Sequence, residues 1–170
     1  MLVVMRLSGS HLMHAAVAGF GLALMLVLGS CNAPTNNKAA PVAELSAERR
    51  ILAQLAKYED GVRRMDFDDV ADLFVANGKV VNPGRPEVEG RELIRVFLKS
   101  FSGYKVIENT DHADSTVVEG KSAQQTGTYA QTVTIPEGDT VHVKGRFEAW
   151  WVLDYDGEWR LARMETTPQQ

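Results

Sequence analysis

Apolar side chains recur at alternating steps of four and three through the first half of the folded part of this chain, and at steps of two through the second half. Ile51, Leu55, Tyr58, Val62 and Met65 make the first stripe, the signature of a helix with one buried face. This helix is expected to begin near Ser46, an acceptable N-cap with Glu48 in the first turn. Asp66 is placed to cap a second, short helix, FDDVADLF, whose Val70, Leu73 and Phe74 face inward and whose C-terminal stop is Asn77-Gly78. A short strand, Lys79 to Asn82, follows. Past the Pro83-Gly84 turn, Gly90 introduces a third helix with Leu93, Ile94, Phe97, Leu98 and Phe101 at helical spacing.

From Tyr104 the chain turns to β-branched and aromatic residues with period-2 alternation, in four stretches at about 105–118, 122–135, 140–153 and 158–166. Glu119-Gly120, Glu137-Gly138-Asp139 and Asp156-Gly157 mark the turns between them, so the strands should form an antiparallel meander. Within 140–153, alternation puts Val141, Val143, Gly145, Phe147, Ala149 and Trp151 on one face. His142, Lys144, Arg146, Glu148 and Trp150 fall on the other. Three helices followed by a run of strands predict an α+β domain, a cone-shaped α+β barrel with the N-terminal helices packed on a curved antiparallel sheet.

Residues 1–30 stand apart from this pattern. Arg6 and the amino terminus supply a positive n-region, and Ala15 to Leu28 an apolar run of about fourteen residues, short of the roughly 17–25 a membrane-spanning helix needs. The segment reads as an export signal. Its end, Leu28-Gly29-Ser30-Cys31, resembles the lipobox of bacterial lipoproteins, which implies acylation of Cys31 and anchoring to a membrane facing the periplasm. Asn32, in place of an acid after the Cys, resembles lipoproteins sorted to the outer membrane. Acylation also accounts for a lone Cys in an exported chain, which has no intramolecular partner. Residues 31–46, rich in Asn, Pro and Ala, read as a flexible tether that would hold the domain, residues 47–168, roughly 20 Å from the membrane.

Charge narrows the partners. Without the signal the chain carries 17 basic and 22 acidic residues, a net of −5, so nucleic acid is not an expected partner and anionic lipid does not attract the protein.

The order of motifs from "MDFDDVADLF" through "NPG", "VEGRELIRVFL" and "SAQQTGTY" to "GRFEAWWVLDYDGEWRLARMETT" resembles the nuclear transport factor 2-like, or cystatin-like, superfamily, and within it the SnoaL-like and ketosteroid-isomerase-like branch. The resemblance spans residues 48–167. It implies the conical fold with a pocket under the sheet, but not an activity, since the superfamily includes isomerases, dehydratases and cyclases beside non-enzymatic association domains. The isomerase site uses a helix Tyr as oxyanion donor, an Asp base before a Pro at the end of the first strand, and a protonated Asp in a later strand. Tyr58 matches the first role. Asn82, with Pro83 behind it, falls at the base position and cannot take a proton near neutral pH. The third position falls on Ala149, or on Glu148 if a bulge shifts the hairpin by one. In SnoaL-like relatives the positions of Glu148 and Met164 usually carry a Thr and often a His, so the pocket here should be more apolar at one end and acidic at the other.

Tyr58, Asn82, Phe97, Phe101, Glu148, Trp150 and Met164 are therefore the expected ligand-binding residues. Tyr58 and Glu148 are the only catalytic candidates. His112 in "NTDHAD" is split by alternation from Asp111, and the mature chain has no HxH or HxxxH, so neither a metal nor another cofactor is expected. Asp66, Asp68, Asp69 and Asp72 read as a cap and the solvent face of the short helix. Three functions fit: a lipid-anchored binder of a small, mostly apolar molecule, an enzyme using Glu148 with Tyr58, or an association module whose open sheet face makes a homodimer or partner contact.

Overall fold

The structure, a computed structural model, describes residues 40–169, with side chains from Ala47 onward. The expected export signal, Cys31 and residues 31–39 of the expected tether lie outside the described residues. Helix α1 spans Ala40–Arg64, seven residues earlier than the Ser46 cap would allow. Pro is tolerated in a first helical turn, and the Ala, Glu and Leu around it are good helix formers, so residues 40–46 continue the helix and are not a flexible tether. Among the described residues no helix is long and apolar enough to cross a membrane.

Helix α2, Phe67–Asp72, is capped by Asp66, whose carboxylate accepts from the Asp69 N–H at 3.2 Å. Helix α3 spans Arg91–Lys99. The acidic cluster joins these two helices: Arg95 pairs with Asp68 and Asp72 at 2.9 and 2.6 Å, and Lys99 with Asp68 at 2.8 Å. Leu93, expected inward, is 61% exposed; the buried face of α3 is Ile94 and Leu98, with Phe97 half-buried and Phe101 buried just beyond the helix end.

Strand β1, Phe74–Val81, begins five residues earlier than expected, so Asn77-Gly78 lies inside a strand and does not stop a helix. The pairing is irregular between Phe74 and Lys79, and a Cβ on Gly78 would come within 2.9 Å of the Phe74 Cβ. Only a glycine lets the strand fold back this closely on Phe74. A two-residue strand, β2 (Val88–Glu89), pairs with β1 and is too short to leave a periodic signal. The remaining strands are β3 (Lys105–Glu119), β4 (Ser122–Thr134), β5 (Thr140–Leu153) and β6 (Trp159–Pro168).

The sheet order is β2-β1-β6-β5-β4-β3. β3 to β6 form the expected antiparallel meander, but β1 runs parallel to β6, so the sheet is mixed and not wholly antiparallel. A parallel neighbour is possible because α3 and the whole meander separate these two strands in the chain, far more than a parallel crossover requires. Register shifts in β3, on either side of Ile107 and of Asp114, and at Ala162 in β6 bend the sheet around the helices. Helix α1 packs against β3, the edge strand. The core between them holds Ile51, Leu55, Tyr58 and Val62 of α1 with Phe74, Phe147, Trp151, Leu161 and Met164 of the sheet.

Candidate functional site

The inner face of β4 carries Ala123, Gln125, Gly127, Tyr129, Gln131 and Val133, all buried. One of these positions, Gly127, is a glycine, as is Gly145 on the inner face of β5, and each lies beside an aromatic ring. Gly127 pairs directly with Phe147 of β5, and Tyr129 with Gly145. A Cβ on Gly127 would lie 2.5 Å from the Phe147 ring and 2.1 Å from the His112 carbonyl oxygen; one on Gly145 would lie 2.7 Å from the Tyr129 hydroxyl and 2.3 Å from the Thr167 carbonyl oxygen. Each ring therefore lies flat over the glycine opposite. This arrangement sets the Tyr129 hydroxyl over Gly145 of β5.

Buried polar side chains cluster where β3 and β4 meet α1. Asn109 and Gln131 are cross-strand partners, and Gln131 Nε2 donates to Asn109 Oδ1 at 2.7 Å. Asn109 Nδ2 in turn faces the Glu59 carbonyl oxygen of α1 at 3.3 Å and a carboxylate oxygen of Asp111 at 3.4 Å. Asp111 is half-buried on the same face and pairs directly with Tyr129. Among the described residues two buried polar atoms have no hydrogen-bond partner, the Tyr129 hydroxyl and Gln131 Oε1. Buried groups of this kind are costly and uncommon, so an orphaned pair marks a place where a further group belongs.

The electrostatics follow from burial and from the carboxylate. Desolvation pushes the Tyr58 hydroxyl well above the ordinary phenol range, with the Asp111 charge adding to the effect. Tyr129 is pushed up to about 12 by the same two causes in the same order. Burial, then the Asp111 charge, raises the Glu59 carboxyl, against which the Asp111 backbone N–H donates a hydrogen bond. Both tyrosines are thus neutral donors at physiological pH, and the region around them is acidic.

The residues singled out in the sequence are distributed differently. Tyr58 is buried, edge-on to Phe74 with ring centroids 6.4 Å apart. Asn82 is buried just past the end of β1, and the Thr166 hydroxyl of β6 donates to its side-chain oxygen at 2.8 Å. Met164 is buried on the inner face opposite Ala149. Phe97 and Phe101 pack edge-to-face at 5.2 Å, with the Arg85 guanidinium 5.5 Å from the Phe101 ring. Glu148 and Trp150 do not face the interior, which corrects the expectation that they line a pocket. The extra residue in the β5–β6 hairpin is Ala162 on β6, so β5 keeps its alternation and Ala149 takes the inward position. Glu148 is exposed on the outer face between Thr126 and Glu165 and meets Gln124 at 3.4 Å; it cannot serve as acid or base with Tyr58. Trp150 is half-buried on that outer face beneath the Arg163 guanidinium, 5.6 Å from its ring. Arg146 pairs there with Asp114 at 3.2 Å. A trough of about 440 Å³ also opens on the outer face over Ala130, between Glu108, Thr110, Thr132, His142 and Lys144.

Glu59, Asn109 and Gln131 went unnoticed in the sequence, and Asp111 and Tyr129 were not among the expected ligand-binding residues. The available signal was polar residues in the inward register: Gln125, Tyr129 and Gln131 alternate in phase with Ala123 and Val133, and Asn109 and Asp111 with Ala113. Alternation separates Asp111 from His112, as expected, and the carboxylate is the member that turns inward.

The model of the SnoaL-like domain family matches residues 43–165. No curated protein matches the chain. Among solved structures, a ketosteroid isomerase-like protein from Erwinia carotovora atroseptica superposes with a TM-score of 0.67 at 19% identity, covering 72% of this chain and 95% of that one. A putative scytalone dehydratase from Novosphingobium aromaticivorans gives 0.66 at 16% identity, covering 76% and 88%. An NTF2-like protein with a cystatin-like fold from the same species gives 0.63 at 16% identity, covering 77% and 87%. At these identities the likeness is one of fold. With α1 to α3 packed on the curved six-stranded sheet, and with the family model spanning most of the domain, the chain belongs to the SnoaL-like domain family.

Proposed function

We propose that this protein is a lipid-anchored, extracytoplasmic binding domain that takes a small, mostly apolar molecule into the cone between α1 and the sheet and does not transform it. The observation that carries the reading is the presence of two buried, unpartnered polar atoms, Tyr129 Oη and Gln131 Oε1, among the described residues of the inner face. A few fixed polar groups in an apolar cavity are what orients a ligand of this kind. The absence of catalysis is argued from Asn82, an amide held through its oxygen by Thr166 at the place where an isomerase would need an ionisable base.

Small-molecule mass spectrometry of the full-length protein extracted in mild detergent should find one co-purifying compound that is lost on denaturation and reduced in Gln131→Leu. Isolation of a protein that never carries a compound, at any growth stage, would count against the reading. For catalysis, wild type and Asn82→Asp are assayed with a β,γ-unsaturated ketosteroid. Wild type should be inactive, and turnover by it would overturn the non-catalytic reading. The anchor is tested by Cys31→Ser, which should leave the protein unprocessed or soluble on fractionation. A variant still cleaved and membrane-bound like wild type would remove the lipid from the proposal.

A further inference from the structure

The polarity of the buried hydrogen-bond chain decides what the site lacks. Asn109 Nδ2 faces two acceptors, the Glu59 carbonyl and the Asp111 carboxylate, so the Asn109 amide cannot be turned round without setting oxygen against oxygen. Its Oδ1 must then receive Gln131 Nε2, which leaves the oxygen of Gln131, and not its N–H, without a partner. Gln131 is 2% exposed, so bulk water does not serve that oxygen. What is missing is a donor.

Asp111 narrows the choice of donor. Its carboxylate is half-buried on the inner face, and among the described residues no Lys, Arg or His lies within ion-pair distance of it. Its contact with Asn109, at 3.4 Å, is a long one. A carboxylate in such a position gains most from a cation. Asp111 and Gln131 are diagonal neighbours on adjacent strands, a relation that sets side chains roughly 7–8 Å apart at their bases and lets one small group reach both.

Resting on the binding reading above, we infer that the ligand carries a protonated amine, which pairs with the Asp111 carboxylate and donates a hydrogen bond to Gln131 Oε1. An ammonium group brings three donors and the charge opposite to that of Asp111. A hydroxyl brings one donor and no charge, and a carboxylate is repelled by Asp111 and Glu59. The Asp111 charge is felt at both buried tyrosines, Tyr58 and Tyr129, so this end of the inner face is negative and favours a cation further.

The test uses the full-length protein in detergent and a panel of primary amines from propylamine to 2-phenylethylamine, each beside the alcohol of the same skeleton. Binding is read from the side-chain amide signals of Gln131 and Asn109 by nuclear magnetic resonance. At least one amine should bind more tightly than its alcohol by roughly tenfold or more, the equivalent of one charge-assisted hydrogen bond. Asp111→Asn should erase that preference while the alcohol binds as before, and Gln131→Met, which keeps the volume and removes the acceptor, should weaken the amine without abolishing its preference. Alcohols that bind as well as or better than their amines, or a preference that survives Asp111→Asn, would overturn the amine and leave the binding reading standing. A panel in which neither class shifts any inner-face signal would overturn both.

Discussion

Two glutamines sit six residues apart on the inner face of β4, both buried, and their surroundings differ in one respect. Gln125 is fully used: its oxygen accepts from the Trp151 indole N–H at 3.2 Å and its nitrogen donates to Thr116 Oγ1 at 3.0 Å. Gln131 is half used, with its nitrogen on Asn109 and its oxygen on nothing. The first links three strands through atoms already present in the fold. The second ends in a vacant acceptor beside a carboxylate. Buried polar groups that serve only the fold are expected to close their hydrogen bonds within it, so the open glutamine, and not the closed one, identifies the functional end of the sheet.

The strongest way to break the closed end is at its backbone. Gly127→Ala should cost about 3 kcal/mol or more, because the new methyl meets the His112 carbonyl oxygen at 2.1 Å and neither strand can retreat without losing ladder bonds. Chemical denaturation would read it, and a loss below 1 kcal/mol would mean that the meander is looser than its register implies.

The comparison is sharpened by the same substitution at both glutamines. Gln125→Leu strands the buried Trp151 N–H and frees the Thr116 hydroxyl, for a loss of about 2–3 kcal/mol. Gln131→Leu takes the Gln131 donor from Asn109 Oδ1 but also removes one orphaned oxygen, so the loss should be smaller, about 1 kcal/mol. Equal losses at the two sites would put Gln131 back among the structural residues.

Tyr129→Phe should move stability the other way. The hydroxyl is buried and unpartnered, so deleting it leaves the unliganded protein unchanged or more stable by up to about 1 kcal/mol, while the ring still covers Gly145. A destabilised variant with no ligand present would reveal an internal partner for that hydroxyl.

The part of this that was legible in the sequence is the part governed by periodicity. The stripe Ile51, Leu55, Tyr58, Val62 and the alternation in β5 gave the helix face and the strand face, because a one-residue error would turn a whole hydrophobic set to water. Helix limits were less legible. Ser46 carries a good capping side chain, yet nothing stops the preceding Ala, Val and Leu from extending the helix. Phe74 reads equally well as the last turn of a helix and the first residue of a strand, and its strand pairing with Leu161 decides the matter from 87 residues away. The site was the least legible part. Glu148 drew notice because it stands beside a family position, but one bulged residue, Ala162, lies on β6 and not on β5, and this keeps Glu148 outside. The residues that do converge, Glu59, Asn109, Asp111, Tyr129 and Gln131, come from three elements with no spacing in common, and only the pairing of β3 with β4 and the docking of α1 bring them together.

The smallest effect expected is also the most local, the titration of Glu59. Its folded pKa is raised above the unfolded value of 4.5, by burial first and by the Asp111 charge second, so the ionised form is the disfavoured one in the fold. The contribution of this residue to stability therefore improves as pH falls through the raised folded value and levels off below 4.5. Asp60, Asp68, Glu87 and Glu92, and Asp156 with its carboxyl held down at about 2 by Arg160, are shifted downward and behave in the opposite sense: the stability they lend above their unfolded values is lost as pH falls through the folded ones. Asp111→Asn should bring Glu59 part of the way back toward 4.5, since the charge is removed and the burial is not. Carbon-13 titration of the Glu59 carboxyl would measure the change directly, free of the surface carboxylates that dominate global unfolding. A bound ammonium should lower the same pKa in wild type and leave it unmoved in Asp111→Asn, whereas a Glu59 that titrates identically in both proteins would show that Asp111 and Glu59 do not share one electrostatic site.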